Sequence, residues 1–290
     1  MTTRRGILLG AAGFALLRSA ARAQGPFDAL PGEFARIERE SGGRLGVAVL
    51  DTGSGRRAAH RAGERFPMCS TFKFLAAAAL LARVDRGREK LDRRIAYRKS
   101  DLVPYSPVTG KYAGSGMTVD SLCEAAVTLS DNTAANLILA ALGGPAGLTR
   151  FMRAIGDTVT RLDRNEPTLN EARPGDPRDT TTPAAMLQSI DRLLFGAALA
   201  APSRERLAQW LLANKTGDKR LRTGLPQDWR CGEKTGSGGH GTTNDVGAFW
   251  LPERKPVIVA AFLTETAADA TAREAALASV ARAIAAALAS

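Results

Sequence analysis

Strand-forming segments stand at both ends of this sequence with a long helix-forming stretch between them, and that order restricts the fold more than any other feature. Near the start, Leu45 to Leu50 and Arg56 to Ala62 flank the turn Asp51-Thr52-Gly53-Ser54-Gly55, the pattern of a β-hairpin. Strand signals return only at Trp229 to Thr235, Thr243 to Leu251 and Val257 to Leu263. A helix from Glu33 to Ser41, stopped by Gly42-Gly43, precedes the hairpin, and Ala270 to Ala289 closes the chain with Leu277, Val280, Ile284 and Leu288 on one helical stripe. Both ends of the chain read as parts of one α/β layer, so the hairpin and the three late strands are expected to join as one five-stranded antiparallel sheet flanked by the terminal helices.

From Thr71 to about Asn214 the signals are helical: Phe72 to Ala82, Val119 to Leu129, Ala134 to Leu142, Pro183 to Leu194, and Arg204 to Leu212 behind Pro202-Ser203. The expected fold class is therefore α/β, with residues 24–68 and 213–290 forming the α/β domain and residues 69–212 an inserted all-α domain. One stretch fits neither helix nor strand. Residues 164–179, RNEPTLNEARPGDPRD, hold three prolines and seven charged residues, which marks a long functional loop whose ends, Arg164 and Asp179, can pair across its neck.

The first 23 residues lie outside this plan. Arg4-Arg5, the apolar run Gly6 to Leu17 and Ala21-Arg22-Ala23 compose an export signal, and the paired arginines resemble a twin-arginine signal, although an ordinary secretory signal fits too. The apolar run is too short to span a bilayer, so no permanent membrane anchor is expected, and the mature chain should be periplasmic or secreted after cleavage near Ala23. Cleavage removes four arginines and no acid, lowering the formal net charge from +11 to +7. The remaining basic residues are scattered among acids, without the aromatic interleaving of a nucleic-acid surface, so no nucleic-acid partner is expected; a monomer is the default.

Cys69, Cys123 and Cys231 form no C-x-x-C pair, and the only histidines are His60 and His240, so neither a zinc site nor a Ser-His-Asp triad is signalled. No metal or cofactor is expected. Any serine chemistry must use another base, and Ser70-Thr71-Phe72-Lys73 offers one. Ser70 heads the most apolar helix and Lys73 shares its face, where burial should depress the lysine pKa unless a carboxylate compensates. Alone, S-x-x-K also suits a helix cap and a snorkelling lysine. Here it is followed by Ser130-Asp131-Asn132 between helices and Lys234-Thr235-Gly236 on a strand. Gly236 to Gly241 also fits G-x-G-x-x-G, but a strand rather than a helix follows, which excludes a dinucleotide site.

With these three motifs, the loop residues Glu166-Pro167 and Asn170, the segment Asp176 to Thr180, and Asn214 to Pro226, the whole mature chain resembles the class A serine β-lactamases. That resemblance implies hydrolysis of the β-lactam ring of penicillins and cephalosporins, and thereby resistance. Ser70 would be the nucleophile, with the oxyanion held by the backbone N–H groups of Ser70 and Ser237. Lys73 and Lys234 would tune Ser130, which relays a proton to the leaving nitrogen. Glu166 and Asn170 would hold the deacylating water, with Glu166 or Lys73 as the acylation base. Asn132 would hold the substrate side-chain amide, Lys234, Thr235 and Ser237 its carboxylate, and Gly236 would let the acyl chain lie against the strand.

Tyr105 resembles the family's aromatic lip, Asp131 is read as a local cap, and His240 as an exposed loop residue. Many relatives add an arginine on the strand after K-T-G; here that strand offers Asn244, which leaves Arg220 as the candidate carboxylate ligand and Arg222 as the fallback. The family's disulfide partners for Cys123 and Cys69 would be positions 77 and 238, here Ala77 and Gly238, so three free thiols are expected. Cys69, Arg220 and Ser237 also occur in some broad-spectrum relatives, which leaves the spectrum open. Two other activities share the motifs, a D-Ala-D-Ala peptidase of the cell wall and a β-lactam sensor, but neither needs Glu166 with Asn170.

Overall fold

The computed structural model describes residues 25–289, so the export signal read at the N-terminus lies outside the described residues. The chain runs through α1 (Leu30–Ser41), β1 (Arg44–Asp51), β2 (Arg57–His60), α2 (Phe72–Val84), α3 (Val119–Thr128), α4 (Asn132–Leu142), α5 (Pro145–Ala154), α6 (Pro183–Leu194), α7 (Ala201–Leu212), β3 (Arg230–Ser237), β4 (Thr243–Trp250), β5 (Val257–Thr264) and α8 (Ala270–Ala289). The five strands make one antiparallel sheet in the order β2-β1-β5-β4-β3, which joins the early hairpin to the late strands as expected. β3, carrying Lys234-Thr235-Gly236, is an edge strand.

Period-two alternation divides the sheet between two cores. Leu45, Val47 and Val49 of β1, with Val257, Val259, Ala261 and Leu263 of β5, face Phe34 and Ile37 of α1 and Leu277, Val280 and Ile284 of α8. The alternate residues Ala48, Leu50, Ile258, Ala260 and Phe262 face the other core, built on the helices of the middle region. At its centre is α2, buried all round from Phe72 to Ala82, as a helix without a polar face must be. Only Lys73 interrupts that apolar run with a charge.

Several boundaries differ from those read in the sequence. β3 extends through Ser237, and α1 and α7 begin earlier, at Leu30 and Ala201, because a proline is tolerated in a first turn, where its missing N–H would have no intrahelical partner. α5 has no counterpart among the helices read from the sequence, because its ten residues follow the turn signature Gly143-Gly144-Pro145. The 164–179 segment is a loop apart from one 3₁₀ turn, Thr168–Glu171.

The neck of that loop closes as its sequence suggested. Asp179, 1% exposed, accepts from the Asp163 and Arg164 backbone N–H groups at 2.7 and 2.9 Å and from Arg164 Nε at 2.6 Å. Its own carbonyl accepts from the Met68 N–H at 2.9 Å, tying the loop to the residues just before Ser70. Cys69, Cys123 and Cys231 are buried and unbonded to one another, and burial pushes all three thiols up, so they are inert at neutral pH. We predict that Asp179→Asn, which keeps shape but removes the charge, lowers unfolding stability by about 2 kcal/mol and exposes the 164–179 loop to protease. Unchanged denaturation and cleavage would show the neck to be dispensable.

Candidate active site

Ser70 lies in a 3₁₀ turn, Cys69–Thr71, that feeds directly into α2, and the turn is held from three sides. Thr71 Oγ1 donates to the Met68 carbonyl at 2.8 Å, and Asn244 Nδ2 on β4 donates to the Pro67 and Met68 carbonyls at 2.8 and 3.1 Å. Cys69 adopts φ +45°, a strained conformation for a residue with a side chain, and one found where surrounding structure over-determines the backbone. The third side is β3. A Cβ at Gly236 would come within 2.7 Å of the Met68 carbonyl, so the missing side chain lets the edge strand close on the turn that carries Ser70. This physical reason for glycine differs from the room for substrate inferred from sequence.

Lys73 is fully buried and its ammonium is surrounded by oxygen. Nζ stands 2.9 Å from Glu166 Oε1 and donates to the Ser130 carbonyl at 2.7 Å, Ser130 Oγ at 3.3 Å and Asn132 Oδ1 at 2.6 Å. Burial pulls its pKa down and the Glu166 charge opposes the shift, so the compensating carboxylate that the sequence left open is present. The sequence placed Ser70 and Lys73 in direct reach. They meet instead at a shared acceptor, because Ser70 Oγ donates to Glu166 Oε1 at 3.2 Å.

Glu166, 4% exposed, is clasped by a residue the sequence reading overlooked. The Asn136 side chain on α4 accepts from the Glu166 N–H and donates to its carbonyl, both at 2.9 Å. Its signal was available: an asparagine four residues after Asn132 lies on the same face of a helix that is apolar from Ala134 onward except for it. Asn170 Nδ2 donates to Glu166 Oε2, and Asn170 Oδ1 is buried without a protein donor. Asp131 caps α4 through the Ala134 N–H and also accepts from the Val108 and Thr109 N–H groups, matching its reading as a cap.

Lys234 is buried and donates to Ser130 Oγ at 3.1 Å and to the Thr235 carbonyl at 2.9 Å, so one hydroxyl sits between two lysines. Burial pulls the Lys234 pKa well down, and the positive charges of Lys73 and Arg220 pull it further. Among the described residues no carboxylate forms an ion pair with it. Arg220 spans the strand end, donating to the Gly236 and Asn244 carbonyls at 2.9 Å and to Ser237 Oγ at 2.7 Å. The fallback Arg222 lies elsewhere, paired with Glu233 at 2.9 Å, and is thereby removed as a candidate. Thr216, also unanticipated, hydrogen-bonds Thr235 hydroxyl to hydroxyl.

These side chains open onto a pocket of about 350 Å³, lined by Ser70, Tyr105, Ser130, Asn132, Asn170, Arg220, Thr235, Gly236 and Ser237, with no acid on its wall. Lys73, Glu166 and Lys234 lie behind that wall. Tyr105 stands at the rim, 60% exposed, whereas His240 is exposed in the turn beyond β3 and does not line the pocket. Because the Gly238 N–H bonds the Thr242 carbonyl, the antiparallel alternation turns the Ser237 N–H away from β4, toward the open edge. No group of three or more His, Cys, Asp or Glu side chains among the described residues is arranged to hold a metal.

A model of the β-lactamase enzyme family matches residues 30–288. A β-lactamase of Streptomyces fradiae is 50% identical over 297 residues, covering 98% of this chain and 96% of that protein. The chain belongs to the class A β-lactamase family. The carbapenem-hydrolyzing β-lactamase KPC of Klebsiella oxytoca is 50% identical over 86% of this enzyme and 85% of its own length. Among solved structures, an ancestral (GNCA) class A β-lactamase superposes with a TM-score of 0.87 at 67% identity, covering 88% of this chain and 98% of that one. The putative class A β-lactamase PenP of Rhodopseudomonas palustris gives 0.88 at 57% identity, covering 90% and 100%.

The charge arrangement of this β-lactamase makes a titration prediction. Lys234 should lose its proton below the ordinary lysine value, and Lys73→Met, by removing a neighbouring positive charge, should move that midpoint up; NMR of labelled lysine reads both. The folded state holds fewer protons than the unfolded between the lowered and ordinary values, so the cost of burying Lys234 is relieved as pH rises through that window. A midpoint indifferent to Lys73 would contradict the coupling.

Proposed function

We propose that this enzyme hydrolyses penicillins and cephalosporins through an acyl-enzyme on Ser70, and that water activated by Glu166 completes each turnover, conferring resistance. The observation that carries this reading is the single carboxylate oxygen, Glu166 Oε1, that accepts from the nucleophile at 3.2 Å and from Lys73 at 2.9 Å. In the resting arrangement the Ser70 proton points at Glu166, and the Lys73 donors are directed to Glu166, Ser130 and Asn132 rather than to Ser70, a geometry that favours Glu166 as the acceptor of the Ser70 proton. Attack of Ser70 Oγ on the lactam carbonyl forms a tetrahedral oxyanion, for which the Ser70 and Ser237 N–H groups are the donors, each worth roughly 10²–10³ in rate. Ser130 then delivers its proton to the departing ring nitrogen. The two lysines that flank its hydroxyl favour the transient alkoxide and resupply the proton.

Substrate placement follows from charge and from the open strand edge. A β-lactam carries a carboxylate, and the wall formed by Thr235, Ser237 and Arg220, with the buried Lys234 behind it, presents cationic and hydroxyl donors without a competing acid. Asn132, held by Lys73 and by donation to the Pro104 carbonyl at 2.8 Å, is positioned for the side-chain amide, and Tyr105 forms the lip. After acylation, a water donating toward Glu166 and the buried Asn170 Oδ1 has both an acceptor for its proton and an orienting partner. The division into an α/β domain and an inserted helical domain, export with signal cleavage near Ala23, and action in the periplasm or outside the cell as a monomer belong to the same proposal. None of the described helices is long and apolar enough to cross a membrane.

Purified protein mixed with a many-fold excess of a chromogenic cephalosporin should consume all of it at a steady rate. A single stoichiometric burst would instead favour a D-Ala-D-Ala peptidase or a sensor, whose acyl-enzymes persist.

A further inference from the structure

The helices that begin at the catalytic pocket, α2 and α4, both end at a second concavity of about 380 Å³. α2 is thirteen residues long, about 20 Å at 1.5 Å per residue, with Ser70 just before its first turn and Arg83 of the second concavity in its last. Four arginines ring it, Arg83, Arg86, Arg88 and Arg150, over an apolar floor that includes Leu142 and Phe151, and no acid lines it. Arg83 is committed to the end of α4, donating to the Ala141 and Leu142 carbonyls. Arg86, Arg88 and Arg150 make no ion pair and no side-chain hydrogen bond among the described residues.

Arg36, Arg61, Arg93 and Arg164, by contrast, each pair with a carboxylate, whereas here three unpaired guanidinium groups converge on one hollow. The acids nearest in sequence are engaged elsewhere. Asp85 accepts from the Ala200 N–H and the Ser203 hydroxyl, and Glu89 pairs with Arg93 at 2.6 Å. Four guanidinium groups around one hollow repel one another, and an anion relieves that repulsion while presenting oxygens in the geometry their forks match. The apolar floor adds a requirement that inorganic phosphate does not meet.

We propose that this groove is a second binding site, separate from the Ser70 pocket, for an amphiphilic anion: a phosphate- or carboxylate-type head gripped by Arg86, Arg88 and Arg150, with an apolar body over Leu142 and Phe151. A soluble metabolite and a lipid headgroup share this chemistry. Titration calorimetry of the mature enzyme with n-octyl phosphate at low salt tests it. One saturable site per chain is expected, tighter than for inorganic phosphate, weakened by added salt and weakened at least tenfold in Arg86→Glu/Arg150→Glu. Turnover of a chromogenic cephalosporin should be unchanged in that variant, and Arg86→Gln/Arg150→Gln should bind with an intermediate loss.

Sedimentation with phosphatidylcholine vesicles containing phosphatidylglycerol distinguishes the sources. Binding of octyl phosphate without vesicle association assigns a soluble anion, and binding of both assigns a bilayer headgroup. Failure to bind octyl phosphate, equal binding by the glutamate variant, or inorganic phosphate binding as tightly would each overturn the proposal.

Discussion

Lys73 and Glu166 face each other at 2.9 Å with both side chains closed off from solvent, and an ion pair so placed stands only while every surrounding atom holds position. Removing one partner of such a pair costs about 3–5 kcal/mol, because the remaining charge stays buried without compensation. Three separate parts of the chain must therefore arrive together. α2 brings Lys73, α4 brings Asn132 and Asn136, and the 164–179 loop brings Glu166. The neck formed by Arg164 and Asp179 and the clasp of Asn136 on the Glu166 backbone fix the loop to the helices, and the Asp179 carbonyl fixes it again to the turn that carries Ser70.

The opposite wall obeys a different constraint. Lys234 and Arg220 place two cations at the edge of the sheet, and their neighbours are hydroxyls and carbonyls that solvate without neutralising. Arg220 does have Glu274 near its Nε, at 3.5 Å, but that carboxylate lies away from the pocket wall. The site is thus divided between one side backed by the Glu166 carboxylate and another that is cationic. Ser130 stands where they meet, within reach of both lysines.

Much of this was legible in the sequence because its signals are local. Alternating strands, the unbroken apolar run of α2 and the proline-rich loop each report on their own segment, and together they predict the five-stranded antiparallel sheet that the structure has. The three motifs likewise name residues that the fold gathers into one pocket. What escaped depends on approach between distant segments. The spacing that singles out Asn136 does not say that it reaches the loop, and nothing local shows that Thr216 meets Thr235 or that Gly236 is bare because the Met68 carbonyl lies behind it. α5 escaped for a different reason: Leu148, Phe151 and Met152 do repeat at helical spacing, but the element is only ten residues long and opens on Gly143-Gly144-Pro145, which reads as a turn. The choice between Arg220 and Arg222 needed the pocket itself, because only one of the two guanidinium groups is free of Glu233.

The central claim is that one carboxylate, Glu166, separates an enzyme that destroys its acylating ligand from a protein that is trapped by it. Intact-mass measurement of Glu166→Ala during exposure to penicillin tests this most directly. The account predicts that the protein gains the mass of one penicillin, retains it long after free drug is removed, and loses the adduct when Ser70 is also replaced by alanine. Sustained turnover of penicillin by Glu166→Ala, with no covalent species accumulating, would contradict it.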